Sequence, residues 1–147
     1  MYETVLLPTD GSEASLSAAT HAGSLAQTNE ATVRVVSVAD SRNRFESPSS
    51  GLAPEAWEEA ERERAEAAID ETVEYLPDDV DVERSVVMGI PQDEILDQIE
   101  QANADVVVMG THSRSGIDRY LLGSVTERVM RHASVPVLTV RDGDPDA

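Results

Sequence analysis

"DVVVMG", residues 105–110, sets Val106, Val107, Val108 and Met109 in one unbroken apolar run. Successive side chains of a strand point to opposite faces, so a strand built from this run has no face left for water. Such strands belong in parallel sheets covered on both sides by helices. Working outward, "TVLLP" (4–8) is a second short apolar run, closed by proline. "ATVRVVSVAD" (31–40), "VDVERSVVMG" (80–89) and "VPVLTV" (135–140) read as three more strands.

Helical patterns fill the intervals. After the first strand, Ser15, Ala18, Ala19, Ala22, Leu25 and Ala26 form a stripe of small residues. Asp10 and Glu13 have capping-box spacing there, with Ser12 as the competing cap. A second helix is expected over 54–76, with Trp57, Ala60, Ala65, Ala68, Ile69, Thr72, Val73 and Leu76 on or near its inner face. Glu58, Arg62 and Glu66 mark its solvated face. The stretch 91–103 carries Pro91 in its first turn, and a fourth helix is expected over 124–133. Residues 41–54 have no period and read as a loop. Strands thus alternate with helices across 1–147 without repeats or a linker, which predicts one doubly wound α/β domain. Its five-stranded parallel sheet is expected in the order 3-2-1-4-5, with helices on both faces. Pro136 inside the last strand argues that this strand is a sheet edge, and an apolar edge invites a homodimer.

Composition narrows the function. Asp and Glu total 29 against 11 basic residues, every one of them arginine, for a formal charge of −18. That field disfavours nucleic acid and anionic membranes. Acids spread along amphipathic segments predict a folded, halophilic protein whose self-repulsion is screened by salt. The start "MYETVLLPTD" has no basic region or cleavage site, and a cytoplasmic location is expected. With no cysteine, thiolate metal sites are ruled out.

Ligands of such sheets sit beyond the carboxyl ends of the strands where strand order reverses, here between strands one and four. The loops that follow those strands are "PTDGS" and "GTHSRSG", the two most unusual in the chain. Glycines let backbone N–H groups approach an anion, and Ser113, Ser115 and Ser124 add hydroxyls. Gly123 and Ser124 open the fourth helix, whose N-terminus offers unpaired N–H groups and a positive dipole end. Arg114, Arg119 or a divalent cation such as magnesium would supply charge. Neither G-x-G-x-x-G nor a lysine-bearing phosphate loop is present.

"VLLPTDGSEAS", "MGIPQDEIL" and "VVVMGTHSRSGIDRYLLGSVTERVMRHASVPVLTV" together resemble the universal stress protein family over nearly the whole chain. The resemblance implies a stress-response module that holds ATP. ATP-binding members carry a glycine where this chain has Ser113, while Gly110, Gly123 and Ser124 fall in register. If that position needs a positive φ, serine costs roughly 1–2 kcal/mol. The resemblance also implies that Pro8, Thr9 and Asp10 lie near the adenosine and Val38 packs on the base. Val125 and Thr126 would extend the phosphate or ribose contacts. Met109, His112, Ser113 and Arg114 complete the candidate set. Each has a plainer alternative: Pro8 ends a strand, Asp10 caps a helix, Val38 and Met109 fill core, His112 is solvated and Arg114 pairs with a carboxylate. No G-x-S-x-G or His-Glu-x-x-His pairs a nucleophile with a base or sets up a metal site. A binding protein is expected, with at most slow ATP hydrolysis. The alternative is a nucleotide-free dimeric adaptor in which Ser113 marks a lost site. An adenylate-forming enzyme would need a basic phosphate motif after strand one, and "PTDGSEAS" has none.

Overall fold

The apolar runs become strands of a single sheet in the computed structural model, which describes residues 2–41, 53–111 and 123–141. The strands are β1 (Thr4–Pro8), β2 (Thr32–Asp40), β3 (Asp81–Gly89), β4 (Val106–Gly110) and β5 (Val137–Val140). All pairings are parallel, in the order β3-β2-β1-β4-β5. The helices are α1 (Glu13–Asn29), α2 (Pro54–Val73), α3 (Pro91–Gln101) and α4 (Ser124–His132). Right-handed crossovers place α1 and α2 on one face. The chain then doubles back past β1, so α3 and α4 cover the other.

Every residue of β4 is buried, as its composition requires. Val106 and Val108 pack with Val5, Leu7, Val33 and the alanines of α1; Val107 and Met109 pack with Leu6, Val36, Ile95, Ile99 and Val129. Two cores thus share one central strand. The small residues of α1 let it lie close on the sheet: a methyl added at Gly110 would stand 2.6 Å from Ala14 Cβ and 2.7 Å from its carbonyl carbon.

Several boundaries differ from expectation for physical reasons. α2 stops at Val73, because the following proline, Pro77, has no N–H and Tyr75 and Leu76 close tight turns onto Thr72 and Val73. Leu76 is buried nonetheless. α1 and α3 end in left-handed turns at Glu30 (φ 54°) and Asn103 (φ 52°), which cuts α3 two residues short. Pro136 precedes β5 rather than lying within it, and its carbonyl accepts the Val107 N–H at 3.0 Å. β5 is an edge strand all the same. Ser12, not Asp10, caps α1: its hydroxyl accepts the Ser15 N–H at 3.2 Å, since Gly11 (φ 79°) turns the chain between Asp10 and the helix. Among the described residues, no helix is long and apolar enough to cross a membrane.

Candidate functional site

Where strand order reverses, a crevice of about 450 Å³ opens above the carboxyl ends of β1, β2 and β4. That volume lies within the range of small-molecule pockets. Ten candidates from the sequence line it together: Pro8, Thr9, Asp10, Val38, Met109, Gly110, Gly123, Ser124, Val125 and Thr126. His112, Ser113 and Arg114, like Ser115 and Arg119, lie outside the described residues, as does most of the 41–54 loop.

The β1 side is built from mutually bonded hydroxyls. Thr72 donates its hydroxyl to the Ala68 carbonyl at 2.7 Å, so the 2.7 Å contact between the two threonine hydroxyls is donated by Thr9. The Thr9 oxygen also accepts the Gly11 N–H at 3.1 Å. Its backbone N–H donates to Val36, and its carbonyl accepts the Ser37 hydroxyl at 2.8 Å. Every polar group of Thr9 is therefore engaged in holding the loop. Asp10 accepts the Ser12 N–H and the Ser15 hydroxyl, both at 3.0 Å, while facing the crevice.

The β4–α4 side differs. Gly123 N–H donates to the Thr111 carbonyl at 2.6 Å, and buried Thr126 donates its hydroxyl to the Gly110 carbonyl at 2.8 Å. These bonds lock the start of α4 against the end of β4. Thr126 is thereby a brace, and its hydroxyl is not offered to a ligand. The N–H groups of Ser124, Val125 and Thr126, in the first turn of α4, have no partner among the described residues. They carry the positive end of the helix dipole at the crevice rim.

At the end of β4 the Thr111 N–H donates to the Val140 carbonyl at 2.9 Å, so this donor holds the sheet edge. Gly110 is a glycine because α1 leaves no room for a side chain. The sequence reading missed one wall of the crevice. Glu61, Arg64, Ala65 and Ala68 of α2 line it, with Ser15, Val36, Ser37, Asp40, Pro91 and Ile95. α2 is pinned to the sheet at Thr72 and Thr9. From there to Glu61 it climbs about 16 Å, at roughly 1.5 Å per residue. The signal was present: Trp57, Glu61, Ala65, Ala68 and Thr72 repeat at helical spacing, and all are buried. Trp57 is buried on the inner face of α2, where its spacing in the sequence puts it. His21 and His132 are exposed, and no cluster of metal-ligating side chains exists among the described residues.

The family model described as "Universal stress protein family" matches residues 1–141. Universal stress protein MJ0531 of Methanocaldococcus jannaschii is 37% identical over 96% of this chain and 83% of its own length. Universal stress protein G of Escherichia coli O157:H7 is 33% identical over 96% of this chain and 100% of its own. Among solved structures, MJ0577 of M. jannaschii superposes with a TM-score of 0.80 at 30% identity, covering 98% of this chain and 99% of that one. Another, a universal stress protein in complex with cAMP, gives a TM-score of 0.65 at 29% identity over 95% and 97% of the two chains. The match runs through both crevice-forming loops and the sheet that carries them, and the chain belongs to the universal stress protein family.

Proposed function

We propose that this chain is a stress-response module that holds ATP in the crevice, without catalysing a reaction on it. The observation that carries the reading is the first turn of α4, whose residues line a cavity of nucleotide size and whose three leading N–H groups have no partner among the described residues. The phosphates lie there and the adenosine lies toward β2, between Val38 and the β1 loop. The complex of one relative with cAMP supports a nucleotide as the ligand class. Because the net charge is −18 and no lysine is present, magnesium tightens binding by offsetting phosphate charge.

Isothermal calorimetry in molar KCl with magnesium tests this, using the native chain and Ser113→Gly. ATP heat from the native chain supports the module. Heat from Ser113→Gly alone makes the crevice vestigial and favours the adaptor reading, which the serine at the glycine position motivates. In either case we propose a homodimer through β5, an edge strand on which Leu138 is 44% exposed. Light scattering at micromolar protein in high salt would contradict it by giving the monomer mass.

A further inference from the structure

We propose that the front of α2, residues 54–68, is a salt-gated wall of the crevice. At molar salt it is seated, and as salt falls it comes away as a unit before the rest of the fold loosens. The inference does not depend on which ligand the crevice holds. α2 is fastened at its C-terminal end. Ile69 and Val73 enter the core shared with α1, Thr72 meets the Thr9 hydroxyl at 2.7 Å, and Asp70 pairs with Arg84 of β3. The preceding turns are held differently. Trp57, Ala65 and Ala68 are buried but belong to neither of the two cores, and Ala65 and Ala68 line the crevice instead. The Trp57 indole N–H is buried with no partner among the described residues, so opening returns a stranded donor to water. Ala53 gives the helix start no side-chain cap.

Charge supplies the gate. Glu58, Arg62 and Glu66 alternate in sign at spacings of four, whereas Glu55, Glu59 and Glu63 form a second exposed row with no cation in it. Arg62 flanks Glu59 too, but it is shared with Glu58 and Glu66, and Arg64 pairs inward with Glu61 at 3.4 Å. Residues four apart on a helix stand about 5–6 Å from one another at Cβ. The screening length is about 3 Å at 1 M salt and about 10 Å at 0.1 M, so this repulsion is quenched at the first and felt at the second. α3 is the internal comparison. It carries Asp93, Glu94, Asp97 and Glu100 with no cation, yet Ile95 and Ile99 are buried in the second core. Like charge without a core anchor singles out the front of α2. A ligand resting on Ala65 and Ala68 binds the seated wall, so falling salt empties the crevice and a bound ligand keeps the wall in place.

Hydrogen exchange read by mass spectrometry tests this on the native chain without ligand, as KCl is lowered stepwise from about 3 M to about 0.1 M. Peptides from 57–68 should lose on the order of tenfold in protection at a KCl concentration where 69–73, α1 and α3 keep theirs. Glu59→Gln, at the middle of the uncompensated row, should move that loss to lower KCl, and Arg62→Gln should move it to higher. Asp97→Asn on α3 changes the net charge by the same unit as Glu59→Gln and should leave it in place. Protection lost by all helices together would overturn the gate and leave a fold that depends on salt as a whole. Equal shifts from Glu59→Gln and Asp97→Asn would overturn it as well, because net charge would then be the cause. Constant protection of 57–68 across the whole range would do the same.

Discussion

On the β1 side of the crevice, Thr9, Asp10, Ser12, Ser15, Ser37 and Thr72 bond to one another and to the loop backbone. On the α4 side, the polar groups divide. The Thr126 hydroxyl and the Gly123 N–H brace the strand end, while the N–H groups of Ser124, Val125 and Thr126, residues that line the cavity, have no partner among the described residues. Both sides look alike in sequence, being short runs of Gly, Ser, Thr and Asp. The difference is that a loop has enough conformational freedom to satisfy its own donors, whereas a helix start cannot. Polar residues at the rim are thus a weaker sign of a ligand than donors the fold is unable to satisfy.

Substitutions can break that contrast. The largest effect on stability is expected at Gly110, which sits between the two sides. In Gly110→Ala the new methyl meets the Ala14 backbone at 2.7 Å, and α1 must lift from the sheet. A loss of about 3 kcal/mol, the upper end for overpacking, should appear in urea melts. An unchanged midpoint would show that α1 shifts freely. Next comes Thr9→Val, which keeps the shape and removes the hydroxyl that joins Thr72 and Gly11. Two buried partners lose a bond, at about 2 kcal/mol in the same assay. Nucleotide affinity measured on the folded fraction should hold, because the Thr9 hydroxyl serves the loop and not the ligand.

The smallest effect lies at the opposite end of the sheet and serves as a control. Asp105 accepts the backbone N–H of Glu3 at 2.8 Å and of Thr4 at 2.9 Å, and these bonds hold its carboxyl below the usual aspartate range. A carboxyl depressed in the folded state stabilises fully above its unfolded value, near 3.9, and loses that contribution as pH falls through the folded value. Asp105→Asn accepts the same N–H groups without charge. Its stability deficit should be greatest at neutral pH and shrink below about pH 4, with ligand affinity untouched throughout. A deficit independent of pH would contradict the charge-assisted bond.

Sequence periodicity goes far with the sheet and less far with the crevice. β1 and β4 are legible because buried parallel strands are apolar on both faces, and crossover handedness restricts the topology once strand one is set at the centre. Loop composition brings the two sides of the crevice together. The α2 wall escapes, since its height above the sheet depends on a hydroxyl contact between Thr9 and Thr72, 63 residues apart. Glu61 stands on the same buried stripe of α2 as Trp57, Ala65 and Ala68, and a carboxylate there breaks the apolar pattern by which an inner face is read. Asp10 shows a local failure of the same kind: its spacing to Glu13 fits a cap, but the positive φ of Gly11 hands that role to Ser12.

The central claim is that backbone donors at the start of α4 hold the phosphates. Ser124→Pro isolates them. Proline at the first helical position removes one N–H while preserving the helix, and Gly123 already has the extended conformation (φ −69°, ψ 157°) that a residue before proline adopts. Calorimetry with ATP and magnesium in molar KCl, beside a thermal melt, should show affinity reduced on the order of tenfold with the melting temperature unchanged. Undiminished ATP affinity in a folded Ser124→Pro chain would contradict the account.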